Sequence, residues 1–309
     1  MTPLVSVIIP NFNHAPFLKE RIESILNQSY PNYELIILDD CSSDSSKTTI
    51  ENYTNNPKVT EIIYNTQNSG STFKQWKKGI EAAKGELIWI AESDDYADIN
   101  FLQTLVPLFE EDPSLGIAFS QSYRYSNTSE ILGDWSFHTK DFNNNIWDAD
   151  FKMEGTRFIQ DFMLYKNPIP NASAVVFRKK YLLRSNGLNA SFKLNGDWFM
   201  YSSILSISNV AFVRQPLNYF REHCNKGSSR NVLLGNNVKE YYMLASHWQS
   251  ILPLSVYQRN SLKLCAFNIW KLNFDSKLRN MFQTNFLTIL CAAIKVDKYI
   301  LIRFLRFSK

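Results

Sequence analysis

Three carboxylates, Glu92, Asp94 and Asp95, follow an apolar run in the stretch WIAESDDYA. Hard divalent cations such as Mg²⁺ and Mn²⁺ take carboxylate oxygens and keep several waters, so one or two carboxylates plus substrate phosphates can hold one. The plainer alternative is a cap for the helix that starts near Ile99, yet Asp98 stands closer to that start and can serve there. Three further acids at one point repel one another unless a cation or ligand offsets them. Asp39 and Asp40 end YELIILDD. A carboxylate so placed can accept from a base N–H or a ribose hydroxyl, or cap the helix after Ser43. Asp197, in NGDWFM, falls in the first turn of a helix, where an acid also complements the dipole. His223 precedes Lys226, Ser228, Ser229 and Arg230, a set able to neutralise phosphate or simply to form a surface loop.

The elements around these residues alternate between two periods through residue 125. VSVIIP (5–10), YELIILDD (33–40), VTEIIYN (59–65), ELIWIA (86–91) and GIAFSQSYRY (116–125) read as strands. Helical spacing falls between them, with Phe17, Leu18, Ile22, Ile25 and Leu26 in the first helix. Ser42 to Asp44 cap a second that runs to about Asn55, Ser71 to Ala83 form a third, and Ile99 to Glu111 a fourth. Strands alternating with helices imply a mostly parallel sheet covered on both faces. Right-handed crossovers put all the strand C-termini on one edge, where such sheets bind ligands. PNFN (10–13), Asp39-Asp40 and the acids after Ala91 therefore share one polar rim. Residues 126–167 are irregular and rich in Asn, Asp and Trp. SAVVFR (173–178) restores a strand, NGDWFMYSSIL (195–205) opens a helix, and VAFVRQPLNYFREH (210–223) reads as a strand running into a polar loop.

A chain of 309 residues, 45% hydrophobic and 20% charged, can bury a substantial core. Its formal charge of +4 hides an asymmetry: from Ser255 onward ten basic residues face only Asp275 and Asp297, so the remainder is net acidic. FLTILCAAI (286–294) is nine residues long, short of the roughly 20 that cross a bilayer. The end, DKYILIRFLRFSK, mixes basic and apolar residues and can either lie in a membrane interface or pack as an ordinary helix. Cys41, Cys224, Cys265 and Cys291 lack disulfide or zinc spacing, which favours free thiols in a reducing cytosol. MTPLVSVIIP lacks a basic leader and predicts no signal peptide.

No G-x-G-x-x-G, G-x-x-x-x-G-K-[ST] or G-x-S-x-G occurs, which removes the main support for dehydrogenase, P-loop and α/β-hydrolase readings. The constellations in their order resemble the family 2 glycosyltransferases, which have the GT-A fold, and in flavour those of bacteria building surface polysaccharides. The matching pieces are VSVIIPNFN, ILNQSYPNYELIILDDCSSD, NSGSTFKQWKKGIEAAKGELIWIAESDD, NGDWFMYSSI and FREHCNKGSS, within residues 3 to 230. The resemblance implies an α/β GT-A domain over 1–230, with a Rossmann-like nucleotide-sugar half (1–125), an acceptor half (126–230) and a helical basic region over 231–309.

By the same resemblance, Pro10, Asn11, Asn13 and Asp40 hold the nucleotide, and Asp94 contacts the ribose or the metal. Asp95 is the main ligand of a Mg or Mn ion, His223 lies near the diphosphate or metal, and Asp197 is the general base. Three positions depart from the family pattern: Glu92 in place of Asp, Cys41 after the acidic pair, and Trp76-Lys77-Lys78 where an Arg-Asn pair is frequent before the glycine. The implied reaction is inverting transfer of a sugar from a nucleoside-diphosphate donor to a glycan or lipid-linked acceptor in the cell envelope. The implied location is cytoplasmic, with peripheral contact to the membrane's inner face and no nucleic-acid partner. Residues 126–167 and 173–178 are expected to shape the acceptor pocket, and Trp135, Phe137 and Trp147 can stack on sugars or pack inside. The alternatives are a sugar-nucleotide nucleotidyltransferase, which normally has a Gly-rich loop where PNFNHAPFLKE has no glycine, and an inactive membrane-associated assembly partner.

Overall fold

Val5, Val7 and Ile9 face one side of β1 (Val5–Asn11) and Ile8 faces the other, and none has exposed surface. A strand buried on both faces needs cover on both, and two apolar clusters supply it. The computed structural model describes residues 2–128, 130–142, 145–222, 236–275, 282–300 and 302.

β2 (Tyr33–Asp39), β3 (Val59–Tyr64) and β4 (Leu87–Ile90) run parallel with β1 in the order β3-β2-β1-β4. The helices between them are α1 (Ala15–Leu26), α2 (Ser46–Glu51) and α3 (Thr72–Ala82). α1 buries Leu18, Ile22 and Ile25 against the Val5 side, and α3 buries Phe73, Trp76 and Ile80 against the Ile8 side. Gly79 makes the second contact possible, since a Cβ there would stand 2.4 Å from Ile8 Cγ2. The register pairs Asn11 with Asp39, and the Ala91 amide donates to the Ile8 carbonyl at 2.8 Å. The strand ends therefore meet on one edge, as expected.

Beyond β4 the sheet becomes mixed. After β5 (Tyr96–Ala97) and α4 (Phe101–Glu111), the long β6 (Leu115–Tyr125) enters the sheet. The irregular segment contains β7 (Ile131–Asp134) paired with β6, then 3₁₀ turns and β8 (Phe151–Glu154). α5 (Gly155–Phe158) follows and runs into a π-helical turn, Ile159–Met163. β9 (Val175–Arg178) lies antiparallel between β4 and β6, followed by α6 (Lys179–Arg184) and α7 (Gly196–Leu205). β10 (Asn209–Arg221) runs parallel to β6, and β5 and β8 pair with it antiparallel. α7 is largely apolar and buries Trp198, Met200, Tyr201, Ile204 and Leu205, with Asp197 in its first turn.

Three sequence expectations shift at their edges. The second helix stops at Glu51 and continues to Asn55 only as turns. The fourth starts at Phe101, after an Asp98 turn in which Asp98 Oδ1 accepts from Asn100 N at 2.8 Å. The 173–178 strand starts at Val175, because Asn171 caps a 3₁₀ turn over Ala172–Ala174. Three helices follow: α8 (Asn236–Ile251), α9 (Val256–Asp275) and α10 (Phe282–Val296). Trp248 of α8 packs on Trp198 of α7 at 5.3 Å, within the cluster that also holds Phe73 and Trp76. Among the described residues no helix is long and apolar enough to cross a membrane.

Candidate active site

The β1 and β2 ends are laced together by short polar side chains. Asn11 Nδ2 donates to Asp39 Oδ1 at 2.8 Å, and Asp39 in turn accepts from the Ser42 amide and hydroxyl. Asn13 and Cys41 take left-handed conformations, with φ of 56° and 63°. Asparagine tolerates this region; cysteine has no such excuse, and the conformation costs it about 1–2 kcal/mol. Asn13 Oδ1 accepts from Ser43 N at 2.8 Å, which closes the loop. Pro10 sits in register with Leu38, and Phe12, 44% exposed, presents an aromatic face at the rim. The Asp40 carboxylate accepts from Asn65 Nδ2 (2.6 Å), Gln75 Nε2 (2.8 Å) and the Ser69 amide and hydroxyl. It thus anchors the 65–71 loop to α3, and any base N–H must share it. Lys78 Nζ joins this rim at Asn65 Oδ1 (2.5 Å), whereas Lys77 pairs with Glu81 on the solvent side of α3.

The acids after β4 sit in unlike surroundings. Glu92 Oε1 accepts from Trp76 Nε1 at 2.8 Å. Burial, then the neighbouring Asp94, push its carboxyl up to about 8. Asp95 is 1% exposed, and its Oδ1 accepts from the Arg221 amide at 3.0 Å. Burial and Asp94 push it up to about 7, against the pull of Arg21. Its Oδ2 has no partner of hydrogen-bond geometry, although the Ser173 hydroxyl still draws the group toward ionisation. Arg221 Nε reaches the Asp94 carbonyl at 2.8 Å, its guanidinium pairs with Glu20, and it stacks on Phe17 and Tyr125. Ser93 Oγ meets His14 Nδ1 at 2.8 Å.

Beneath the acids lies Arg21 of α1, fully buried, its three nitrogens without hydrogen-bond partners and its guanidinium 5.0 Å from the Trp89 ring. Burial brings it down to about 10, opposed by the pull of Asp95, Asp94 and Glu92, so it remains a cation at neutral pH. Protonation of Glu92 and the Arg21 charge together relieve the repulsion that the sequence poses.

Among the described residues no group of three acidic, His or Cys side chains converges to hold an ion. One or two carboxylates completed by substrate phosphates are nevertheless what Mg²⁺ or Mn²⁺ needs. The unpartnered Asp95 oxygen fits that role.

Asp197 opens α7, and α7 reaches the acids through α3. A Cβ on Gly196 would stand 2.7 Å from the Phe73 ring, Phe73 meets Trp76 edge-on at 5.0 Å, and Trp76 bonds Glu92. Asn167 Nδ2 donates to Asp197 Oδ2 at 3.3 Å. Burial raises the Asp197 carboxyl to about 6, against the pull of the Trp198 and Asp197 amides. The buried Tyr201 hydroxyl, one turn on, is raised by burial and then by Asp197 and Glu92, so it lies in the field of both acids. His223 and the loop to Arg230 lie outside the described residues.

Trp147 is 8% exposed and packs among Phe142, Phe151, Phe158, Phe162 and Phe212, so it is a core residue. Phe137 stays exposed and stacks on Trp135 at 5.2 Å. A cavity of about 430 Å³ opens here, lined by Gln121, Asp134, Thr139, Lys140, Trp147 and Arg214. The sequence does not single out Arg21 or Arg221, and it marks Trp76 only at the departure from the family pattern, not as the donor to Glu92. Of the two arginines, Arg21 alone left a signal, as a charged residue on the Leu18-Ile22-Ile25 stripe.

A parallel half ending in a polar rim, joined to a mixed half, is the GT-A transferase architecture. The model of the family described as Glycosyl transferase family 2 matches residues 6–183, and the chain belongs to that family. Glycosyltransferase GlyG of Streptococcus pneumoniae serotype 4 is 27% identical over 227 residues, which cover 72% of this chain and 71% of that protein. The putative glycosyltransferase EpsH of Bacillus subtilis is 24% identical over 300 residues, 91% of this chain and 82% of that one. Staphylococcus aureus TarS (1–349) shares the fold with a TM-score of 0.71 at 16% identity, over 96% of this chain and 82% of that one.

Proposed function

We propose that the chain is an inverting, divalent-cation-dependent transferase that moves a sugar from a nucleoside-diphosphate donor to a hydroxyl of a glycan or lipid-linked acceptor in envelope polysaccharide assembly. The observation that carries this reading is the contrast between two carboxylates. Asp95 is tied down on one oxygen with the other unpartnered. Asp197, on a different element, has its affinity for protons raised to about 6. Burial raises both, Asp95 to about 7 and Asp197 to about 6, so it is their hydrogen bonding and their places on separate elements that divide ligand from base in this reading. TarS has been solved with UDP-GlcNAc, and a Pyrobaculum calidifontis mannosyltransferase of the same fold, TM-score 0.57, with GDP-Man and Mn²⁺. Those complexes support a nucleotide-sugar donor and a cation here.

In this reading Pro10, Asn11, Asn13 and Asp40 line the nucleotide subsite, with Phe12 offering a stacking face. Asp95, with Asp94 and His223, would hold Mg²⁺ or Mn²⁺, which when bound stabilises negative charge on the leaving diphosphate. Asp197 takes the proton of the acceptor hydroxyl as that oxygen attacks from the side opposite the leaving group, which inverts the anomeric centre. The 126–167 segment and its cavity form the acceptor side. The basic C-terminal region gives peripheral contact with the inner face of the membrane.

Incubation with a panel of nucleotide sugars, acceptors and Mn²⁺ should release nucleoside diphosphate; release of pyrophosphate would instead identify a nucleotidyltransferase. Asp197→Asn should bind donor normally while turnover drops by about 10²–10⁴-fold, the usual contribution of a positioned base. Undiminished turnover would remove Asp197 from that role.

A further inference from the structure

Glu240 of α8 lies beyond the family match at residues 6–183, and its side chain is 2% exposed. Oε1 accepts the Lys193 amide at 2.5 Å, and Oε2 accepts the amides of Leu194 at 3.0 Å and Asn195 at 2.8 Å. Three successive N–H groups converging on one carboxylate form an anion-binding nest, here filled by the protein's own side chain. The next two residues are Gly196 and Asp197. Asn195 gives α7 no side-chain cap, so the turn that delivers Asp197 is held from a distant helix instead.

α8 is firmly seated for this task. Tyr241 and Trp248 pack on Trp198, the neighbour of Asp197, at 5.8 Å and 5.3 Å. The Tyr241 hydroxyl donates to the Leu164 carbonyl at 2.9 Å. A carboxylate costs free energy to bury, and satisfying three amides of one turn offsets that cost only while the turn keeps its shape.

We propose that Glu240 is a positioning residue for Asp197, setting both where the base stands and the charge it stands against; this rests on Asp197 being the base proposed above. The groups facing Asp197 are Glu240 from α8, Asn167 from the loop before β9, Tyr201 on α7 and the α7 amides. Burial is the main cause of the raised Asp197 carboxyl, and the Glu240 charge acts in the same direction. Removing that charge should make Asp197 a weaker base that stays ionised to lower pH.

The test uses the full chain with Glu240→Gln and Glu240→Asp, read by donor calorimetry and by kcat against pH. Glu240→Gln should bind donor with unchanged affinity and lose kcat by up to about 10²-fold, the scale of a displaced catalytic group. The acidic limb of its kcat profile should move to lower pH. Glu240→Asp keeps the charge on a shorter arm, so kcat should fall while the limb stays in place. A purely structural role would leave the limb unmoved in both. Wild-type kcat and limb in Glu240→Gln overturn the proposal, as does wild-type kcat in Glu240→Asp should the first variant not fold. If Asp197→Asn is inactive while the Glu240 variants behave as wild type, only this inference fails. Turnover retained in Asp197→Asn removes the base assignment and Glu240's role with it.

Discussion

Asp95 keeps one oxygen without a hydrogen-bond partner while the Arg221 amide holds the other, and its proposed cation role rests on that oxygen. Asp95→Asn keeps the shape and removes the charge, so Mn²⁺-linked binding of a nucleotide sugar should disappear from calorimetry while the fold survives. Unchanged cation-linked binding would move the ligand role to Asp94 or His223. Asp197 invites a test in pH. Its carboxyl is raised to about 6, and a base must be ionised, so kcat should fall about tenfold for each pH unit below that value. Stability runs the other way. A carboxyl raised by the fold contributes stability below its ordinary range and loses it as pH rises through the folded value. Above pH about 6 the neutral Asp197→Asn chain should therefore have a higher urea midpoint than wild type, with the difference closing in acid. A pH-independent difference between the two would argue against a raised Asp197.

At the scale of elements, Asp197, proposed as the base, is linked to the strand-end rim through α7 and α3, and Gly196 sets how closely those helices approach. Gly196 is the first residue of α7, so alanine should gain less than the about 1 kcal/mol of helix propensity that it gains in a helix interior. The added Cβ would stand 2.7 Å from the Phe73 ring, which is itself buried and braced edge-on by Trp76. Overpacking of this kind costs about 1–3 kcal/mol and should win. Gly196→Ala is expected to lower the urea midpoint and kcat together while donor binding on the β1-β2-β4 rim stays intact. A stabilised chain with wild-type kcat would mean that Phe73 yields freely. The same elements explain what the sequence made legible. β1, β2, β4 and β9 are short apolar runs buried throughout, and the edge strand β3, half exposed, is marked instead by its β-branched residues. β7 and β8 are four residues each, polar-interrupted and dependent on long partners, so no local period marked them. Glu240 was illegible for a related reason: it accepts from amides at least 45 residues earlier in the chain, and spacing carries no trace of such a contact.

At the scale of the whole molecule, the acid rim and the basic C-terminal region divide the charge between them. Ten basic residues from Ser255 onward face two acids, a bias readable from sequence alone. The structure adds apolar surface in the same region: Val256, Tyr257, Ile294, Tyr299 and Ile302 are exposed. Lys239 and Lys295 also flank a groove of about 520 Å³ floored by Tyr242, Met243 and Ala292. Basic rims around apolar surface suit an anionic lipid interface, where each Lys or Arg contributes about 1 kcal/mol. The full chain should co-sediment with phosphatidylserine-containing vesicles at low salt and be released at high salt, as the Debye length contracts from about 10 Å at 0.1 M to about 3 Å at 1 M. Pure phosphatidylcholine vesicles should retain much less. Lys295→Gln with Lys298→Gln should weaken partitioning by roughly tenfold or more, since each lost charge removes about 1 kcal/mol. Equal binding to both vesicle types, or no salt release, would leave the basic bias with a packing role and the acceptor to be met in solution.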